Sequence, residues 1–150
     1  MKHILLLTDF SKNSKNAIDY ALKMLQDEIC IFYVLHVKSS TGYTSDDLMS
    51  SSTKSVYSSI LKSEKNKLIK LVSALKLEYQ NDNHSFHTIA DYDVFVDSIK
   101  QVVKSKKISL IAMGTNGVTG AKEVVFGSNT INVIKNCNCN TLVIPEGFKY

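Results

Sequence analysis

Five short runs of apolar residues recur along the chain, and stretches with helical spacing separate them. The runs are His3 to Leu7, Ile29 to Val37, His84 to Ala90, Ile108 to Met113 and Thr141 to Ile144. Two of them, ICIFYVLHV and ISLIAM, are apolar almost throughout, as a strand covered on both faces must be. Between the runs, Ala17, Ile18, Ala21, Leu22 and Leu25 repeat every three to four residues, as do Tyr57, Ile60, Leu61, Leu68, Leu71, Val72, Leu75 and Tyr79. Phe95, Val96, Ile99, Val102 and Val103 predict a third helix opened by Asp91 or Asp93. Ile131, Val133 and Ile134 predict a fourth starting near Ser128. The order βαβαβαβαβ predicts an open parallel sheet with right-handed crossovers and helices on both faces.

The 150 residues hold one domain, 1–150, large enough to bury a core without disulfides or metal staples. Nine serines and three threonines between Ser39 and Ser59 offer little to bury, so a mobile connection is expected there. The apolar run at the N-terminus is too short for a secretory h-region and no run reaches the ~20 residues needed to span a bilayer, so a cytoplasmic protein without membrane contact is expected. Cys30, Cys137 and Cys139 have no framework spacing, which suits reduced structural thiols better than a metal site. The net charge of +4 rests on 18 lysines and no arginine. Without arginine forks for bases and phosphates a nucleic-acid reader is disfavoured, and Lys62, Lys65, Lys67, Lys70 and Lys76 read as the solvated face of one helix.

Chemistry concentrates in GTNGVTGAKEVVFGSNT, Gly114 to Thr130, which carries four of the chain's six glycines. In open α/β sheets ligands sit outside the carboxyl ends of the strands, where the strand order reverses. There Thr8-Asp9, His36-Val37-Lys38 and Met113-Gly114 should meet. Gly114 and Gly117 would let backbone approach a ligand, and Gly127-Ser128-Asn129-Thr130 would bring N–H groups to a helix N-terminus. The spacing fits neither the dinucleotide fingerprint nor the P-loop, so these residues alone leave a phosphate cradle and a plain turn both open. His36, at the end of a buried strand, reads as a hydrogen-bonded structural histidine; Asp9 reads as a helix cap or a ligand acceptor; Lys122 reads as a solvated loop lysine. No Ser-His-Asp or Cys-His set and no paired carboxylates stand out, and no positioned general base is evident.

Gly114-x2-Gly117-x9-Gly127-Ser128 is similar to the ATP-binding pattern of the universal stress protein family. ILLLTDFSKNSKNAIDYA, LHV at Leu35 to Val37, LIAMGTNGVTG and FGSNTINVIKNCNCNTLVIP extend the resemblance over essentially the whole chain. What it implies is a five-stranded parallel sheet of order 3-2-1-4-5, of the adenine nucleotide α-hydrolase-like type, usually in homodimers. It also implies ATP, with Mg2+ offsetting phosphate charge, in a regulatory stress-response protein with little or no turnover. Thr8, Asp9 and Val37 would hold the adenosine end and Met113 and Gly114 would flank sugar and base, with Gly117, Gly127, Ser128, Asn129 and Thr130 around the phosphates. Leu7, Asn116 and Ser109 depart from residues frequent in the family. The alternative is a dimeric interaction module of the same fold that docks partners without nucleotide. The last strand is the expected sheet edge and the expected pairing surface.

Overall fold

The computed structural model describes residues 1–39, 51–115 and 126–150, with only the backbone of residues 51–55. Nine elements follow in strict alternation: β1 (Lys2–Leu7), α1 (Lys12–Met24), β2 (Cys30–Ser39), α2 (Ser51–Tyr79), β3 (His84–Asp93), α3 (Phe95–Lys106), β4 (Leu110–Thr115), α4 (Ser128–Asn136) and β5 (Asn140–Pro145). All strands pair in parallel in the order β3-β2-β1-β4-β5, as the alternation and the family resemblance imply. β1 therefore has β2 on one side and β4 on the other, and the chain direction across the sheet reverses at that point.

Period-two alternation sends the buried strand residues to two cores. Ile4, Leu6, Phe32, Val34 and Ala112 pack with Ile18, Leu22, Leu68 and Leu75, so α1 and α2 cover one face. Leu5, Leu7, Leu35, Ile111 and Met113 pack with Ile99, Val102 and Val133, so α3 and α4 cover the other. Among the largest fully buried side chains are Phe32, Leu5, Leu6 and Leu35, from the two central strands. Burying such a side chain contributes about 1.5–3 kcal/mol each, which accounts for why these runs order the chain.

Several local expectations change. Helix α2 begins at Ser51, so residues 51–59 of the serine-rich stretch are helical rather than a mobile connection. Residues 40–50 of that stretch lie outside the described residues. Val94, and neither aspartate, is the N-cap of α3, because β3 runs on through Asp93. Both acids still brace the turn: Val94 N donates to Asp93 Oδ1 at 2.7 Å, and Ser98 Oγ donates to Asp91 Oδ2 at 2.6 Å. In α4 only Val133 of the three expected core residues is buried; Ile131 and Ile134 are exposed, and Thr130 and Val133 face inward. Lys62, Lys65, Lys67, Lys70 and Lys76 are all exposed, as expected of a solvated face.

Candidate functional site

A cleft of about 390 Å³ opens at the carboxyl ends of β1, β2 and β4. That lies within the range of small-molecule sites, and the place is the switch point of the sheet. Thr8, Asp9, Val37, Met113, Gly114, Gly127, Ser128, Asn129 and Thr130 all line it, brought together from four separate segments. Gly117, with Gly120, Asn116 and Lys122, lies outside the described residues.

The first wall follows β1. Thr8 continues the ladder, its N–H donating to the Leu35 carbonyl at 3.0 Å, and its carbonyl accepts from His36 Nδ1 at 2.8 Å. Its hydroxyl lies 3.1 Å from Ser14 Oγ and accepts from Phe10 N at 3.0 Å. All the polar groups of Thr8 thus have protein partners, so Thr8 shapes the wall more than it offers atoms to a ligand. Phe10 turns the chain through a left-handed φ of 65°, a costly conformation for a bulky residue. Ser11 then caps α1, with Ser14 N donating to its hydroxyl at 3.1 Å. Asp9 is exposed and accepts from Ser11 N at 2.9 Å, so it braces the turn before the helix while Ser11 is the cap itself. Burial pulls the Asp9 carboxyl upward, but hydrogen bonds from Ser11 and Ser14 outweigh it and leave the group below its ordinary value. An ionised acceptor at the rim of the cleft results.

The second wall comes from β4 and α4. A Cβ at Gly114 would lie 3.0 Å from the Asn13 carbonyl oxygen, so a glycine there lets β4 pass tightly beneath α1. Gly127 differs: among the described residues a Cβ there would meet nothing within 4 Å, and its φ of −66° is open to any residue. It is the N-cap of α4 and supplies no side-chain hydrogen bond, while Ser128 and Asn129 stand exposed at the first turn. N–H groups at such a turn attract an anion through the helix dipole. Thr130 is buried and forms the floor below that turn.

Other lining residues carry no glycine or acidic signal in the sequence. Phe95, at the first turn of α3, sits beside Val37 in the lining set and adds an aromatic surface; its spacing marks it only as a core residue. Ser11, Asn13 and Ser14 line the cleft because the first turn of α1 packs against its rim. His36 is the hydrogen-bonded histidine its buried strand predicts, and its partner Glu64 is buried on α2. The sequence reading missed Glu64; the signal that could have found it is a charge at position 64, in helical step with the apolar residues 68, 72 and 75. Cys137 is buried in the second core, and burial pushes its thiol, and those of Cys30 and Cys139, upward, away from reactive thiolate.

A family model described as the universal stress protein family matches residues 1–145. Universal stress protein MJ0531 of Methanocaldococcus jannaschii is 30% identical over 148 residues, covering 97% of this chain and 82% of the relative. The solved universal stress protein UspA of Lactobacillus plantarum is 23% identical, with a TM-score of 0.73 over 95% of this chain and 97% of that one. A universal stress protein family protein of Arabidopsis thaliana, solved with AMP bound, is 15% identical, with a TM-score of 0.58 over 97% and 92% of the two chains.

Proposed function

The chain belongs to the universal stress protein family, and from that footing we propose that its cleft binds ATP, with little or no turnover, as the ligand of a cytoplasmic regulatory protein. The observation that carries this reading is the convergence of every described motif residue on one cleft, with an open helix N-terminus along one wall and an ionised Asp9 on the other. Asp9 accepts from adenine or ribose, and Val37, Met113 and Gly114 flank the nucleoside. Ser128, Asn129 and Thr130 present N–H groups to the phosphates, where Gly127 leaves room, and Gly117 is assigned to the same cradle. AMP bound to the Arabidopsis family protein supports an adenine nucleotide as the ligand class.

Among the described residues no cluster of three acidic, cysteine or histidine groups forms. A Mg2+ ion accompanying ATP would be carried by phosphate oxygens. A partner-docking module with an empty cleft is the less favoured reading, because it leaves the space that the described residues leave at Gly127 without a purpose.

Pairing of two copies through β5 belongs to the same proposal. β5 is an edge strand, and Ile131 and Ile134 stand exposed on the helix that leads into it. Among the described residues no helix is long and apolar enough to cross a membrane.

Calorimetric titration with ATP and Mg2+ tests the reading. Saturable binding is expected, lost in Gly127→Val, whose fold should persist since the added Cβ meets no described atom within 4 Å. Absence of binding at millimolar ATP overturns it. Light scattering at micromolar concentration should return a dimer mass; a strict monomer rejects pairing through β5.

A further inference from the structure

The lining of the cleft is chemically uneven. Leu7, Val37, Met113 and Phe95 belong to the second core as well as to the cleft, so the edge of that core continues into the cleft as an apolar side. Strand alternation explains the continuity. Leu7, Val37 and Met113 point to the same face of the sheet as Leu5, Leu35 and Ile111, the face that α3 and α4 cover. Leu7 and Met113 are only 5% exposed, whereas Val37 and Phe95 are half-buried and have surface left to offer. The polar lining comes mainly from the start of α1 and the first turn of α4.

Phe95 is set apart on the apolar side. It is the only aromatic side chain among the described lining residues, and it comes from the first turn of α3 rather than from a strand end. That turn is anchored at both ends. Val94 N donates to Asp93 Oδ1 at 2.7 Å, and the fully buried Ser98 donates through Oγ to Asp91 Oδ2 at 2.6 Å. Helical spacing with Ile99, Val102 and Val103 accounts for the part of Phe95 that leans on the second core. It leaves the part that lines the cleft without a structural reason.

The rest of the cleft does not choose a base. An open helix N-terminus addresses phosphates, which every nucleotide carries. The Asp9 carboxylate accepts from an exocyclic amine or a ribose hydroxyl, and cytidine nucleotides present both as adenosine nucleotides do. Contact area is what separates the two, because a bicyclic purine covers more of an aromatic ring than a pyrimidine does. We propose that Phe95 is a specificity-determining residue whose ring stacks on the nucleobase and makes the cleft prefer purine over pyrimidine nucleotides. The proposal rests on the nucleotide reading above and deepens it, since the glycine motif is silent on the base.

Titrations of the wild type and of Phe95→Leu with ATP and with CTP, both with Mg2+, test it. Leucine keeps an apolar side chain against the second core, and melting curves confirm that the variant is folded. Loss of an aromatic stacking partner costs about fivefold to a hundredfold in affinity for the base it held. The wild type should therefore bind ATP more tightly than CTP, and Phe95→Leu should lose about fivefold or more for ATP and less for CTP. A structural role alone would weaken both nucleotides equally, so an unchanged ratio of the two affinities overturns the proposal. A second measurement needs no variant: proton NMR of the wild type with ATP should show nuclear Overhauser contacts between the Phe95 ring and adenine H2 or H8. Saturable ATP binding without those contacts overturns the role of Phe95 and leaves the nucleotide reading standing. Binding of neither nucleotide overturns both.

Discussion

Gly114 and Gly127 belong to one spaced motif, yet the fold asks opposite things of them. At Gly114 an added Cβ would press to 3.0 Å from the backbone oxygen of Asn13, so the packing of α1 on β4 demands glycine. At Gly127 the same atom would meet nothing among the described residues, and the backbone there is ordinary. One glycine is explained by the protein's own interior. The other is left unexplained by the described residues, and the proposed ligand at the N-terminus of α4 would supply the reason. Within one spaced motif, packing accounts for Gly114, while Gly127 is open to the proposed binding role.

Gly114→Ala is the harshest test of that difference. It should lower stability by about 1–3 kcal/mol, the usual cost of forcing a methyl group into a packed site against backbone, whereas Gly127→Ala should change it by no more than about 0.5 kcal/mol. Denaturant midpoints of the two variants check this. Equal losses would dissolve the distinction.

The two helices that frame the cleft repeat the contrast. Helix α1 carries its own cap, Ser11, whose hydroxyl accepts from Ser14 N at 3.1 Å, while α4 has a glycine cap and offers no side-chain acceptor. Ser11→Ala should therefore cost about 1 kcal/mol. Gly127→Asp should act in the other direction, gaining about 0.5 kcal/mol by capping α4 while its carboxylate displaces the phosphates. Melting curves and ATP titrations of that variant belong together. A variant both more stable and still able to bind ATP would remove α4 from the phosphate site.

How much of this was legible beforehand follows from which signals are local. The strand and helix alternation made the parallel sheet legible, because each crossover must bury an amphipathic face, while its order was implied only by the family resemblance. Ser11 was legible as a cap from its place before a periodic run. The inward turn of α4 was not, since Ile131, Val133 and Ile134 look equally apolar and only docking against α3 and β5 selects Val133. Nor was the packing role of Gly114, which depends on Asn13, 101 positions away in sequence. Phe95 in the cleft lining and Glu64 under His36 are tertiary in the same sense: the pattern marks a core position and a stripe position, and the fold decides what each faces.

Within α1 the same contrast continues on a smaller scale, between its capped first turn and its middle. Asp19 sits half-buried beside Tyr79 of α2, and its Oδ1 is buried without a hydrogen-bond partner. Burial pushes the carboxyl up, and Glu78 adds to the rise; the Tyr79 hydroxyl and the nearby Lys15 and Lys23 pull the other way and are outweighed. Burial, and then the Asp19 charge, push the Tyr79 phenol up in turn. For an acid, a folded value raised above the unfolded one means that ionisation works against the folded state. That cost is complete above the folded value and disappears as pH falls below the unfolded value of about 3.9. Asp19→Asn removes the charge and keeps the shape. It should raise the melting temperature by about 1–2 °C at pH 7, with the gain shrinking as pH is lowered toward 4. A lower melting temperature at pH 7 would mean that the ionised carboxylate earns its place through Lys15 and Lys23, and that the middle of α1 is as well satisfied as its N-terminal turn.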